Sequence, residues 1–583
     1  MIKPFRNILL MLSIASFSSS AFSQGFSGVD DLGRILPQHN EVGAKKEGKQ
    51  VGIFYFLWQG DAGSPTSATN WDLTKLYQYH PEVFHDFLHP NWGGGSSGPG
   101  KYYFWGESIY GYYRGDDYWV HLRNMQLLAD AQVDFLVLDA TNRLTYPNQV
   151  RSLMAALKTL RTQGKSAPKL VFYTNSSSAD AMQEIYDTFY SDTAKDKDKD
   201  SWYLLDGKPL IIGLGKDAKG RNYEKFFTIR ESQWPNEPEK VDGWPWIEFQ
   251  RPQKVYKNNR GEREIINVSA SQHPNLDASM GGSAFYGAAG NWGRSFRKNH
   301  PGNPEKDIFY GYNIQEQWDY ALSQDVPFVF ITGWNEWIAG KWSRTDEKKN
   351  QAHFVDQANA EYSRDIEPTW TGGLKDSYYM QMISNILKYK GVDAVKTVKR
   401  VETVPELKNW KNISELYVDY VGDIVKRNHP GAQSEPKVQY INESGRNDLK
   451  VLKVAAAPSQ IGFYVQTNNK LSERNTNNWM VLWLNVDGDY NSGWFGYDYR
   501  VVKGDQLQRF VNGYWKDFGK VAFDTSDNEL LIKISNATIG LPDKGYSLEF
   551  KWSDNMMKDD PLDWYINGDT APGGRLNLTF SVE

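Results

Sequence analysis

The stretch from Asp117 to Ala131, then Gln132, then Val133-Asp-Phe-Leu-Val-Leu138 and Asp139, decides how this chain is read. Apolar residues recur at helical spacing through the first part. The second part is a compact apolar run closed by a carboxylate, the pattern of a helix feeding a buried strand. The same grammar extends in both directions. Upstream, Val51-Gly-Ile-Phe-Tyr-Phe-Leu-Trp58 reads as a strand buried on both faces. Downstream, the pattern predicts a helix over Gln149 to Leu160, a strand over Leu170 to Tyr173 and a helix over Ala179 to Tyr190. A strand over Pro209 to Leu214, a helix over Tyr223 to Arg230, and strands over Trp244 to Phe249 and Glu264 to Val268 follow. A helix over Ile314 to Leu322 leads into the strand Val326-Pro-Phe-Val-Phe-Ile-Thr332.

Seven strands are placed this way and an eighth is not. Repeated β-then-α units of this length predict the α/β class, and this many of them a (β/α)₈ barrel. An open doubly wound sheet is the competing arrangement, but no Gly-rich turn follows the first strand. Around residues 395–430 the alternation stops. Short aromatic and β-branched runs then begin (Leu449 to Ala455, Gln460 to Gln466, Trp479 to Val486, Tyr497 to Val502), separated by Gly, Asn and Asp. They predict an antiparallel β-sandwich. The expected organisation is a leader at 1–23, a barrel at 24–394, a transition at 395–430 and an ancillary sandwich at 431–583.

Composition narrows the function. The 583 residues carry 66 basic and 71 acidic groups, a net charge of −5 without the basic excess expected of a nucleic-acid binder. The absence of cysteine excludes disulfides, thiolate-bound metals and a thiol nucleophile. Lys3 and Arg6, the apolar run Ile8 to Phe17 and the small-residue site Ala21-Phe22-Ser23 before Gln24 read as a secretory signal, so the mature chain is expected outside the cell or in a periplasm. No run is long enough to span a bilayer. Aromatic residues make up 14 %, with 22 Trp, an excess typical of proteins that stack flat ligand faces such as sugars.

Catalytic groups in barrels project from the C-terminal strand ends. Asp139 and Glu336 fall there. Glu336 lies in Gly333-Trp-Asn-Glu-Trp337, where flanking indoles would desolvate it and favour a general-acid role. An ion pair with a neighbour such as Lys341 is the structural alternative for Glu336, and a helix cap or turn is the alternative for Asp139. Glu248 and His273 end two further strands as reserve groups. The segment Tyr102-Tyr-Phe-Trp-Gly-Glu107 through Asp117 reads as a sugar-binding wall, with Trp105, Glu107, Tyr112, Tyr113 and Arg114 as contacts. Trp58, Asn142, Trp334, Asn335 and Trp337 complete the expected substrate contacts. The histidines at 80, 85 and 89 match no zinc spacing, and no cofactor or metal is expected.

A strand followed by Trp334-Asn-Glu-Trp337 in an aromatic-rich chain resembles the glycoside hydrolases of families 71 and 99, the α-1,3-glucanase and endo-α-mannosidase group. The stretches Tyr103-Phe-Trp-Gly-Glu107, Tyr112-Tyr-Arg-Gly-Asp-Asp117 and Asp134-Phe-Leu-Val-Leu-Asp139 carry the same likeness, which covers roughly residues 50–390. In the endo-mannosidase branch a second catalytic Glu stands three positions after the first. The first matches Glu336, but the second position here is Ala339, so the partner carboxylate must come from elsewhere, Asp139 first, then Glu248 or Glu107. Asn485 to Asp498 resembles a hairpin of family 9 carbohydrate-binding modules. Its Asp487, Asp489 and Asn491 imitate a calcium loop that lacks the required glycine, so a structural turn is expected there. The resemblance implies a secreted hydrolase acting on a polysaccharide or oligosaccharide. A glycan-binding protein on a degenerate barrel is the alternative that Ala339 supports. Oligomeric state is not legible.

Overall fold

The computed structural model describes residues 25–60, 71–92, 101–274, 290–343, 352–355, 359–432 and 438–583. The leader expected at 1–23 lies outside them. Eight parallel strands are found among the described residues: β1 (Gln50–Tyr55), β2 (Phe135–Ala140), β3 (Lys169–Thr174), β4 (Lys208–Gly213), β5 (Thr228–Gln233), β6 (Gly243–Pro245), β7 (Arg263–Ser269) and β8 (Phe328–Thr332). They pair in the order β7-β8-β1-β2-β3-β4-β5-β6. Ile53 of β1, for example, stands opposite Ile331 on one side and Leu136 on the other. Side chains bridge the seam that backbone pairing leaves between β6 and β7. Trp244 Nε1 donates to Glu264 at 2.8 Å and the Glu248 amide donates to Asn267 Oδ1 at 3.2 Å, so the sheet curls into a nearly closed barrel.

The period-two alternation of strand side chains sorts each strand into two cores. Phe54, Phe135, Val137, Tyr173, Ile212, Trp244 and Phe330 fill the lumen. Val51, Ile53, Tyr55, Leu136, Leu138 and Ile331 face the outer layer instead. There they meet the helices α1 (Tyr118–Asp130), α2 (Pro147–Thr162), α3 (Ser178–Ile185), α4 (Tyr312–Gln324) and α5 (Ser377–Lys390). Gly52 leaves room for the Phe135 ring, because a Cβ there would sit 2.1 Å from it.

The strand missing from the sequence reading is β5, which overlaps the helix expected at Tyr223 to Arg230. Its sequence, Thr-Ile-Arg-Glu-Ser-Gln, hides its burial behind polar groups. Arg230 forks onto both oxygens of Glu264 on β7, at 2.8 and 2.7 Å, and Ser232 bonds Asn175 at 3.0 Å. The expected repeat also lapses here. A four-residue helix joins β4 to β5, a turn joins β5 to β6, and the antiparallel strand Val255–Lys257 precedes β7. The strand expected over Trp244 to Phe249 is only the three residues of β6.

Beyond α5 two mainly antiparallel sheets pack face to face, the edge strand Thr397–Val398 alone pairing parallel. One orders Thr397–Val398, Leu578–Val582, Tyr546–Asp554, Val481–Asn485, Tyr499–Val502, Gln506–Val511 and Tyr514–Lys520. The other orders Tyr417–Val418, Leu449–Ala456, Gln460–Thr467, Glu529–Ser535 and Ala522–Ser526. Phe463, Ile532, Leu482, Phe550 and Trp552 meet between them. The stretch 395–430 therefore lends an edge strand to each sheet. Buried ion pairs join the chain beyond α5 to the barrel. Arg427 forks onto Asp117, the cap of α1, at 2.9 and 2.8 Å, and Arg575 reaches Asp376 at 2.6 Å.

Candidate functional site

The alternation that fills the lumen also selects what stands at its mouth. Phe135 and Val137 of β2 point inward, so Asp139 does too, and Phe54 and Phe56 place Trp58 on the same side. Asp139 is partly exposed. Its Oδ1 accepts the Thr141 amide at 2.8 Å, the turn-capping bond, and its Oδ2 accepts Trp246 Nε1 at 3.3 Å. Arg364 lies over the Trp246 ring, 4.8 Å from its centroid, and donates from Nη2 to Glu336 Oε2 at 3.0 Å. One indole and one guanidinium thus connect the two carboxylates expected to act. Tyr146, at the start of α2, feels both. Its phenol is pushed above the ordinary range by burial first, then by the charges of Asp139, Tyr102 and Glu336.

Glu336 is buried, but not between the indoles that its sequence neighbours imply. Trp334 and Trp337 turn into the outer core, Trp337 among Phe104, Tyr112 and Tyr113. Glu336 itself is 5 % exposed and ion-paired with Arg364. Lys341 takes no part, since it donates to the Phe87 carbonyl at 2.9 Å. The guanidinium supplies a counter-charge to this buried carboxyl group. His273 belongs to the same group. Its Nδ1 accepts from Arg364 at 3.2 Å, and burial, followed by the guanidinium charge, pushes the imidazole well below its ordinary value.

Other expected contacts are placed elsewhere. Glu248 is sealed in its own loop: Oε1 accepts the Phe249 and Gln250 amides at 2.8 and 2.7 Å, and Oε2 accepts the Tyr256 hydroxyl at 2.8 Å. Asn335 ties β1 to the aromatic loop, taking the Phe56 amide at 2.8 Å and donating to Tyr113 at 2.9 Å. Trp105, Tyr112 and Tyr113 are buried, not a cleft wall, because the strand Lys101–Phe104 pairs antiparallel with Ile338–Ser343 and folds the loop onto the barrel. Arg114 bonds Asp116 at 3.3 Å, Asn142 is exposed on the loop after β2, and the half-buried Glu107 is surrounded by Asp72 and Lys75. Ala339 lies in the outer core beside Tyr103.

Trp105→Ala should therefore act on stability, lowering it by about 3–5 kcal/mol as a core deletion. Thermal melting checks this, and a melting temperature within a degree of wild type would return Trp105 to the surface.

Four residues missed in the sequence complete the site: Trp246, Tyr146, Arg364 and Glu367. Glu367 sits behind Asn335, accepting from Tyr113 at 2.9 Å and from Asn124 at 2.9 Å, and burial pushes its carboxyl up to about 8. The run Arg364-Asp-Ile-Glu367 is dense in charge for a buried segment, the one cue the sequence offered.

No protein-family model matches the chain, and no curated protein does either. Among solved structures, the chain is similar to the GH99 endo-α-mannosidase from Bacteroides thetaiotaomicron in complex with bis-tris propane, at TM-score 0.32 and 13 % identity over 58 % of this chain and 97 % of that one. A second structure of that enzyme gives TM-score 0.32 and 14 % identity over the same shares. A glycoside hydrolase-like protein gives TM-score 0.31 and 11 % identity over 60 % of this chain and 95 % of that one.

Proposed function

We propose that this protein is an exported glycoside hydrolase built on a modified (β/α)₈ barrel, cleaving a polysaccharide or oligosaccharide with Glu336 and Asp139 as its carboxylate pair. One observation carries the reading. A carboxylate on β2 and one just after β8 flank the same Trp246–Arg364 unit and act together on one phenol, Tyr146. Glycoside hydrolysis generally requires two carboxyl groups about the scissile bond. Glu336, ion-paired with Arg364, takes the role of nucleophile or base, and Asp139 that of proton donor. Trp58, Tyr102 and Tyr146, each half-buried, offer flat faces for sugar rings. The N-terminal leader pattern supports export.

Assay of a polysaccharide panel for released reducing ends tests the proposal. The expected result is release from at least one glycan by wild type and none by Glu336→Gln. A binding-only protein is the second reading, favoured by the near-complete burial of Glu336 and by Ala339 in the core. It predicts retarded migration in glycan-loaded gels without any release.

A further inference from the structure

We propose that Asp423, Asp448 and Asp569 form a binding site for one hard divalent cation of calcium size, set where the sandwich meets the barrel. One carboxylate oxygen from each lies within 4.8 Å of the others, and all three side chains are buried. Calcium takes oxygen ligands at about 2.3–2.6 Å, so ligands on opposite sides of the ion stand about 4.6–5.2 Å apart and neighbouring ones closer. The observed spacing fits inside that shell. The three residues come from separate pieces of chain: the loop after Tyr417–Val418, the residue before Leu449–Ala456, and the first residue of Asp569–Ala571.

An independent observation points to a missing partner. Asp423 Oδ1 has no hydrogen-bond partner, nor does Oδ2 of the adjoining, equally buried Asp419. Buried carboxylate oxygens without partners are costly and rare. The remaining oxygens are held for orientation. Asp448 accepts the Gly422 amide at 2.9 Å, Asp569 the Leu449 amide at 2.6 Å, and Asp423 Oδ2 the Gln126 amide group at 2.8 Å. Gln126 belongs to α1, so an ion here would pin the sandwich to the barrel.

Three cations lie near the cluster, and their charges oppose part of its repulsion. Arg123 stands 3.7 Å from Asp423 Oδ2, while Lys165 and Lys551 direct their ammonium groups to the Val418 and Pro572 carbonyls. The hairpin at Asp487 differs. Its carboxylates cap their own turn, Asp487 taking the Asp489 amide at 2.8 Å and Asp489 the Asn491 amide at 2.9 Å. Shared protons are the rival account of the Asp423 cluster.

The test uses the full-length chain stripped with EDTA and dialysed metal-free. Calorimetric titration with calcium chloride should show a site with Kd of about 10⁻⁴ M or tighter. Millimolar calcium should raise the melting temperature by about 3 °C or more, and magnesium chloride by less. Asp423→Asn should raise the melting temperature in EDTA, by relieving repulsion, and abolish the calcium response. If that variant does not fold, wild type alone decides. No calcium uptake, or a melting temperature indifferent to calcium chloride, overturns the site in favour of shared protons. Undiminished uptake by a folded Asp423→Asn overturns it in favour of a site elsewhere.

Discussion

Glu336→Gln should lower kcat on a cleaved glycan by about 10²–10⁴-fold or more, with KM changed little. The substitution keeps the shape of the side chain and an oxygen that can still accept from Arg364 Nη2, now bonded at 3.0 Å. It removes the charge that would attack the anomeric carbon or activate water. Deleting one member of a buried ion pair ordinarily costs about 3–5 kcal/mol, because the other charge is left alone. Here the cost should be smaller, since Asp365 is also buried and lies within the field of Arg364, which draws its carboxyl down against the burial that lifts it to about 6. A folded protein with almost no turnover is the expected outcome. If Glu336 is the nucleophile, Glu336→Gly with sodium azide should form a glycosyl azide. Retention of more than about a third of the wild-type rate would remove Glu336 from the mechanism, because no acid–base or nucleophilic role is worth so little.

Much of the barrel was legible because strands buried on both faces cannot disguise themselves. β1, β2, β3, β4 and β8 are apolar runs whichever face each side chain takes. β5 could not be read that way. Its buried groups are Arg230, Ser232 and Gln233, satisfied by Glu264, Asn175 and the loop beyond, and no local pattern announces a partner more than thirty residues away. The site divides along the same line. The strand-end placement of Asp139 and Glu336 was legible, because the end of an apolar run marks the mouth of a barrel. The environment of Glu336 was not, because sequence neighbours are not spatial ones. Trp334 and Trp337 leave the mouth for the outer core, while Trp246 and Arg364 arrive from distant segments. The aromatic loop misled for a related reason: an aromatic-rich segment with polar residues reads alike whether it lines a cleft or packs a core. The antiparallel pairing of Lys101–Phe104 with Ile338–Ser343 decides between these, and that pairing joins residues over two hundred positions apart.

Asp139→Asn should lower kcat/KM on a polymeric glycan by about 10²–10⁴-fold, yet lower it far less on an aryl glycoside with an acidic leaving group. The reason lies in what a general acid does. A sugar hydroxyl leaves poorly unless protonated as the bond breaks, whereas a nitrophenolate leaves without help. Loss of the proton donor therefore shows in proportion to the basicity of the leaving group. Stability should change little. Asn can keep the bond from the Thr141 amide, now 2.8 Å, and loss of the longer bond from Trp246 Nε1 at 3.3 Å costs about 1 kcal/mol. A structural Asp139 would behave differently, with the two substrate classes falling together and the melting temperature falling with them. Equal losses on polymer and aryl glycoside would show that Asp139 holds the turn after β2 and that the proton comes from another group.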